Sequence, residues 1–115
     1  MLPDYTFKFS FNKGKQSTVV YLYDCDPRTF YKWAKTPYGF YVASSPRKPK
    51  SGTFGEIHLV WKYITNDMVA HELKHLWFDW IFANDYVIST RTEERHSIVF
   101  EEMTRNFWKE YSKAE

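Results

Sequence analysis

Thr65-Asn66-Asp67-Met68-Val69-Ala70-His71-Glu72-Leu73-Lys74-His75-Leu76-Trp77-Phe78-Asp79-Trp80-Ile81-Phe82 is the stretch on which the fold of this chain turns. It opens on three good N-cap residues, Thr65, Asn66 and Asp67. From Met68 to about Phe82 neither Gly nor Pro interrupts it, which predicts a helix. Val69, Leu73, Leu76, Trp77, Trp80 and Ile81 spread apolar side chains over most of its circumference, and such a helix belongs in the middle of a fold. Yet His71, Glu72, Lys74 and His75 are set into it. Polar groups in such a place are costly unless something satisfies them.

Residues four apart on a helix share a face, so His71 and His75 present two imidazoles side by side. That is the geometry two nitrogen ligands of one tetrahedral zinc ion require. Glu72 is offset by about 100° around the helix, beside such an ion and within reach of its water. In a His-Glu-x-x-His arrangement this carboxylate is the general base for hydrolysis. The competing reading is a pair of core histidines bonded to backbone or carboxylates, with Glu72 paired to a Lys or Arg.

A catalytic zinc needs a third protein ligand and an open fourth position. Downstream, Asn84-Asp85-Tyr86 reads as the exit from the first helix, and Thr90-x-x-Glu93 has the pattern of a capping box that starts a second. Val99, Met103, Phe107 and Tyr111 then form an apolar stripe at helical spacing, while the polar tail from Lys109 to Glu115 is expected to fray. The third-ligand candidates are Glu93, Glu94, His96, Glu101 and Asp79, and stripe geometry alone does not choose among them. Glu93 has a competing duty in the capping box. His96 reads as a solvated helix residue. Asp79, one turn beyond His75, either orients that imidazole or is an exposed carboxylate near a helix end.

Upstream the chain reads as β. Tyr5, Phe7, Phe9 and Phe11 alternate with polar residues, Asn12-Lys13-Gly14-Lys15 supplies a turn, and Thr18 to Tyr23 completes a hairpin. Asp26-Pro27 reads as a break, and Phe30 to Lys35 is open between a helical turn and a strand. Tyr38 to Ala43 and Phe54 to Trp61 are predicted strands separated by a Pro- and Ser-rich loop, 44–51. Ile57 and Leu59 fall on one face of the last strand, with His58 and Val60 on the other, so His58 is expected at the surface unless it lines a cleft. The expected fold is α+β: a single domain over 1–115, with a small, mainly antiparallel sheet packed on one side by two helices.

With these elements placed, residues 54–108 resemble the zincin metallopeptidases of the gluzincin type. The nearer likeness is to small phage-encoded and ImmA/IrrE-type predicted metallopeptidases. There, a strand like Gly55-Glu56-Ile57-His58-Leu59 precedes a helix like Val69-Ala70-His71-Glu72-x-x-His75. The next helix carries a Glu, a small residue three later, and then Thr-Arg, matched here by Glu94, Ser97, Thr104 and Arg105. Glu101 matches an acidic position often seen there. Ser97 stands where Ala is usual, and Ile98 where an aromatic residue or Asn is usual. The resemblance implies Zn2+ held by His71, His75 and Glu94, with Glu72 as the catalytic base. It also implies a peptide or protein substrate paired with the edge strand near Glu56 to Val60.

Composition bounds the rest. Aromatic residues are 21% of 115, more than one small core can hold, so some must face a groove or a partner. The net charge of +2 decides nothing about nucleic acid, because a dedicated DNA binder usually shows a much stronger excess, and the basic run Arg47-Lys48-Pro49-Lys50 reads as a solvated loop. The lone cysteine lies in Asp24-Cys25-Asp26, where two carboxylates oppose a thiolate. Met1 to Ser10 lacks the apolar stretch of a signal peptide and no run approaches 18 apolar residues, so the expectation is a cytoplasmic protein with no membrane span. A second reading is a zinc-stabilised binding or regulatory protein of a phage or mobile element, without turnover. A third is a nucleic-acid accessory protein using the basic loop and exposed aromatics.

Overall fold

Phe7, Phe9 and Phe11 commit the first strand to one buried face. In the computed structural model, which describes residues 1–44, 52–84, 86–87 and 89–114, they pack inward while Thr6, Lys8 and Ser10 face out. β1 (Tyr5–Phe11) pairs antiparallel with β2 (Gln16–Tyr23), Phe7 opposite Val20 and Phe9 opposite Thr18. The turn between them holds Asn12, Lys13 and Gly14 at positive φ, a conformation Asn and Gly tolerate and Lys does not favour. Lys15 N–H closes it on the Asn12 carbonyl at 3.1 Å.

The remaining strands are β3 (Gly39–Val42) and β4 (Thr53–Val60), and the sheet order is β1-β2-β4-β3. β4 runs parallel to β2, Ile57 beside Val20 and Leu59 beside Leu22, and antiparallel to β3, Tyr41 opposite Ile57. The sheet is therefore mainly antiparallel with one parallel pair, which the chain between β2 and β4 makes possible as a crossover. One consequence corrects the sequence reading. β4 is paired on both sides, so Glu56 to Val60 cannot be an edge, and the edge on this side of the sheet is β3.

The break expected at Asp26-Pro27 is instead the start of a helix, α1 (Pro27–Ala34). Asp26 caps it, accepting the Thr29 N–H at 2.8 Å, and Pro27 fills the first turn, where its missing N–H has no role. Lys35 closes it in the left-handed region, its N–H on the Tyr31 carbonyl. Phe30 plugs the sheet face opposite the larger core, burying with Tyr23 and Val60. The sheet is thus covered on both faces rather than one, and Val60 and His58 lie beneath cover instead of in solvent.

On the other face lie α2 (Asn66–Ala83) and α3 (Glu93–Ala114). Thr65 caps α2, accepting the Met68 N–H at 3.4 Å. Val69, Leu73, Leu76 and Ile81 fill the core against Phe54, Ile57 and Leu59 of β4 and the Phe residues of β1. α3 begins two residues later than the Thr90 capping box implied. The Thr92 carbonyl takes the His96 N–H at 3.1 Å, and the Thr92 hydroxyl donates to the Val87 carbonyl at 2.5 Å. Nor does the last turn fray as expected. Tyr111 is buried and its hydroxyl accepts the Lys62 N–H at 3.3 Å, which ties the helix down to Ala114. The basic run Arg47 to Lys50 lies outside the described residues, and among those described no helix is long and apolar enough to cross a membrane.

Candidate metal centre

α2 brings His71 and His75 to the same exposed face, one turn apart. Their Nε2 atoms are 3.2 Å from one another, with the rings edge to face at 84°. Together with a Glu72 carboxylate oxygen, these donor atoms lie within 4.8 Å of one another, and they are the one such cluster among the described residues.

Two imidazole nitrogens at that separation share either a proton or a cation. For a zinc–nitrogen bond of about 2.05 Å, a 3.2 Å chord subtends about 100° at the ion, close to the tetrahedral angle. The donor set fits a metal ion: two borderline-soft nitrogens and one hard carboxylate, open to solvent on one side. Two protonated imidazoles at this distance would repel, so the pair is arranged for a ligand or for one shared hydrogen bond.

Glu72 differs from its neighbours in exposure. It is 7% exposed, with Leu73 and Leu76 of the core beside it in the helix, whereas both histidines are open to solvent. Burial pushes its carboxyl above the ordinary range, and positive charge on His71 or His75 opposes that rise.

A furrow runs between α2 and the edge strand. One end, about 320 Å³, is walled by Tyr38, Leu59, Asp67 and Met68, and the other, about 310 Å³, by Phe40, Tyr41 and His75. Thr36, Gly39, His71 and Glu72 line both ends, so the two are continuous. Gly39 permits the close packing here: a Cβ at that position would fall 2.7 Å from the His58 carbonyl oxygen.

The acidic candidates on α3 stand elsewhere. Glu94, the third ligand implied by the resemblance, is exposed in the first turn of α3 and is not one of the converging donors. Glu93 and Glu101 are exposed as well and also lie outside the cluster. The physical reason is where the helices meet. α3 docks on the Trp77 side of α2, where the indole N–H donates to the His96 carbonyl at 2.8 Å and the ring meets Phe100. Trp77 is about 200° round the helix from His75. Glu101 lines a groove on that side with Lys74, Trp77 and Ser97.

Two further polar residues, His96 and His58, are not where their local patterns suggested, and the sequence leaves a third, Asp79, open between two roles. His96 is 4% exposed instead of solvated, stacked on Tyr86 and edge-on to Trp80. The signal was present, because His96 precedes Val99 by three residues and Met103 by seven and so extends the buried stripe. His58 is sandwiched by Phe40 and Tyr21, and its Nδ1 is 2.7 Å from the Tyr23 hydroxyl. Burial lowers its pKa, with Glu56 opposing, and burial followed by the Glu56 charge pushes the Tyr23 hydroxyl up to about 12. Asp79 is 6% exposed and accepts a hydrogen bond from the Tyr41 hydroxyl at 2.5 Å. Tyr41 itself escaped the sequence reading, since nothing in its local pattern separates it from the other strand aromatics.

Cys25 behaves as its sequence context implies. Burial first, then the charges of Asp26, Asp4 and Asp24, push its thiol up, the reverse of what a nucleophile needs. Comparison of the chain with protein-family models, with curated proteins and with solved structures finds no match.

Proposed function

We propose that this chain is a small zinc-dependent hydrolase acting on peptide bonds, with His71 and His75 as two of the ion's ligands and Glu72 as general base. The observation that carries this reading is the convergence of the two Nε2 atoms to 3.2 Å with the buried Glu72 carboxylate alongside. Zinc in such a place supplies a Lewis acid that makes water a competent nucleophile near neutral pH. Glu72 then takes the proton from the attacking water and delivers it to the leaving amine. Its position beside the two imidazoles, in the furrow, suits both duties. The open side of β3 offers backbone N–H and C=O groups to an extended chain lying along the furrow.

A second reading is favoured by one specific observation: Glu93, Glu94 and Glu101 are all outside the donor cluster. In that reading Glu72 itself completes the ligand set, and the chain is a zinc-stabilised binding protein without turnover. Glu72→Gln separates the two. As a base, it is dispensable for the metal, so the variant keeps one zinc per chain and loses hydrolysis of a fluorogenic peptide library by at least about 100-fold. As a ligand, its replacement weakens zinc binding, and the wild-type chain hydrolyses nothing. Hydrolysis that survives in Glu72→Gln removes the proposed base.

A further inference from the structure

Tyr41 stands on the edge strand, and its side chain crosses to α2. There its hydroxyl donates to the Asp79 carboxylate, and its ring lies 6.3 Å from the His75 imidazole, tilted from parallel by only 11°. Asp79 is four residues after His75 and so shares its face of the helix. The space for the ring is made by a third position. Gly55 sits on β4 at φ +51, and a Cβ there would fall 2.5 Å from the Cε1 and Cζ atoms of Tyr41. Residues from two strands and a helix therefore fix one aromatic ring against one of the two candidate ligands.

We propose that Tyr41 is a positioning residue for His75: tethered by Asp79 and given room by Gly55, its ring holds the imidazole in the orientation that points Nε2 at His71. This rests on the metal-centre reading. An imidazole on an exposed helix face otherwise samples several rotamers, and ordering it costs free energy each time an ion binds. A wall on one side of the ring removes part of that cost in advance. The Asp79 hydrogen bond matters because an untethered Tyr41 could swing into the furrow. Partners that orient a metal ligand in this indirect way are typically worth about 10–100-fold in metal affinity.

The test uses the full chain with Co2+ as a visible probe of coordination geometry, and Zn2+ affinity from competition with a chromophoric chelator. The wild type is expected to bind one Co2+ and to lose it in His75→Ala. Tyr41→Leu should bind Zn2+ about 10–100-fold more weakly, with a changed Co2+ spectrum in protein that is folded by circular dichroism. Tyr41→Phe keeps the ring and loses only the tether, so its loss should be measurable and smaller. A purely structural tyrosine would lower the melting temperature and leave the Co2+ spectrum of the folded fraction alone. Wild-type affinity and spectrum in folded Tyr41→Leu overturn the positioning role and leave the metal centre standing. If that variant does not fold, unchanged affinity in Tyr41→Phe overturns the role instead. Wild-type protein that takes up no Co2+, or His75→Ala that takes up as much, overturns both.

Discussion

At the scale of single residues, chemistry follows enclosure more closely than it follows sequence position. His71 and His75 were legible because a helix forces residues four apart together, whatever the rest of the chain does. His58 was not. Strand alternation correctly put it opposite Ile57 and Leu59, but alternation does not say whether the second face of a sheet is wet. Here Phe40, Tyr21 and Tyr23 enclose it, and burial holds its pKa below the ordinary histidine value. The sign of the consequence is fixed. Between the lowered folded value and about 6.5, the unfolded chain binds a proton that the folded chain does not, so stability falls as pH falls through that window. Urea midpoints measured from pH 7.5 to 5 in wild type and His58→Phe should diverge, with the variant losing less on acidification. Parallel curves would mean that His58 titrates alike in both states.

At the scale of elements, strong periodicity was readable and short aromatic segments were not. β1 shows strict alternation and α2 a long, largely apolar run without Gly or Pro, and both lie nearly at the limits their patterns imply. α1 has eight residues, three of them aromatic, and a proline, which gives little intrinsic helix preference. What makes it a helix is a cap at Asp26 and an anchor at Phe30, fully buried among Tyr23, Trp33 and Phe40. Its stability is therefore tertiary in origin. Phe30→Ala should destabilise the whole chain by about 3–5 kcal/mol, read as a lowered urea midpoint, because it empties the smaller core. A loss under about 1 kcal/mol would show that α1 rests on its cap and contributes little to the sheet. The same logic explains Glu94. A downstream acidic residue can be counted along the chain, but its distance from His75 is set by which side of α2 the second helix docks on, and Trp77 with Phe100 decides that through packing.

At the scale of the whole molecule, sheet order is a long-range property. The parallel pairing of β2 with β4 joins segments more than 30 residues apart and leaves β3, not β4, at the edge beside α2. No local pattern encodes that choice, whereas the α+β class follows from the order of strand-like and helix-like segments. The donor cluster gives this arrangement a thermodynamic signature. His71 and His75 belong to one helix, while the wall of the furrow that faces them comes from β3. An ion that binds the folded chain in preference to the unfolded one stabilises it by mass action, about 2.7 kcal/mol at a free concentration 100 times the dissociation constant. Thermal unfolding should therefore shift upward with added Zn2+ in the wild type and return with a chelator. His71→Ala should abolish the shift while leaving the metal-free melting temperature within a few degrees, because the side chain it removes is exposed. The sheet and helices would then be self-sufficient and the ion a functional addition. A metal-free wild type that fails to fold would instead make the ion part of the architecture, and a shift that persists in His71→Ala would move the binding site away from α2 altogether.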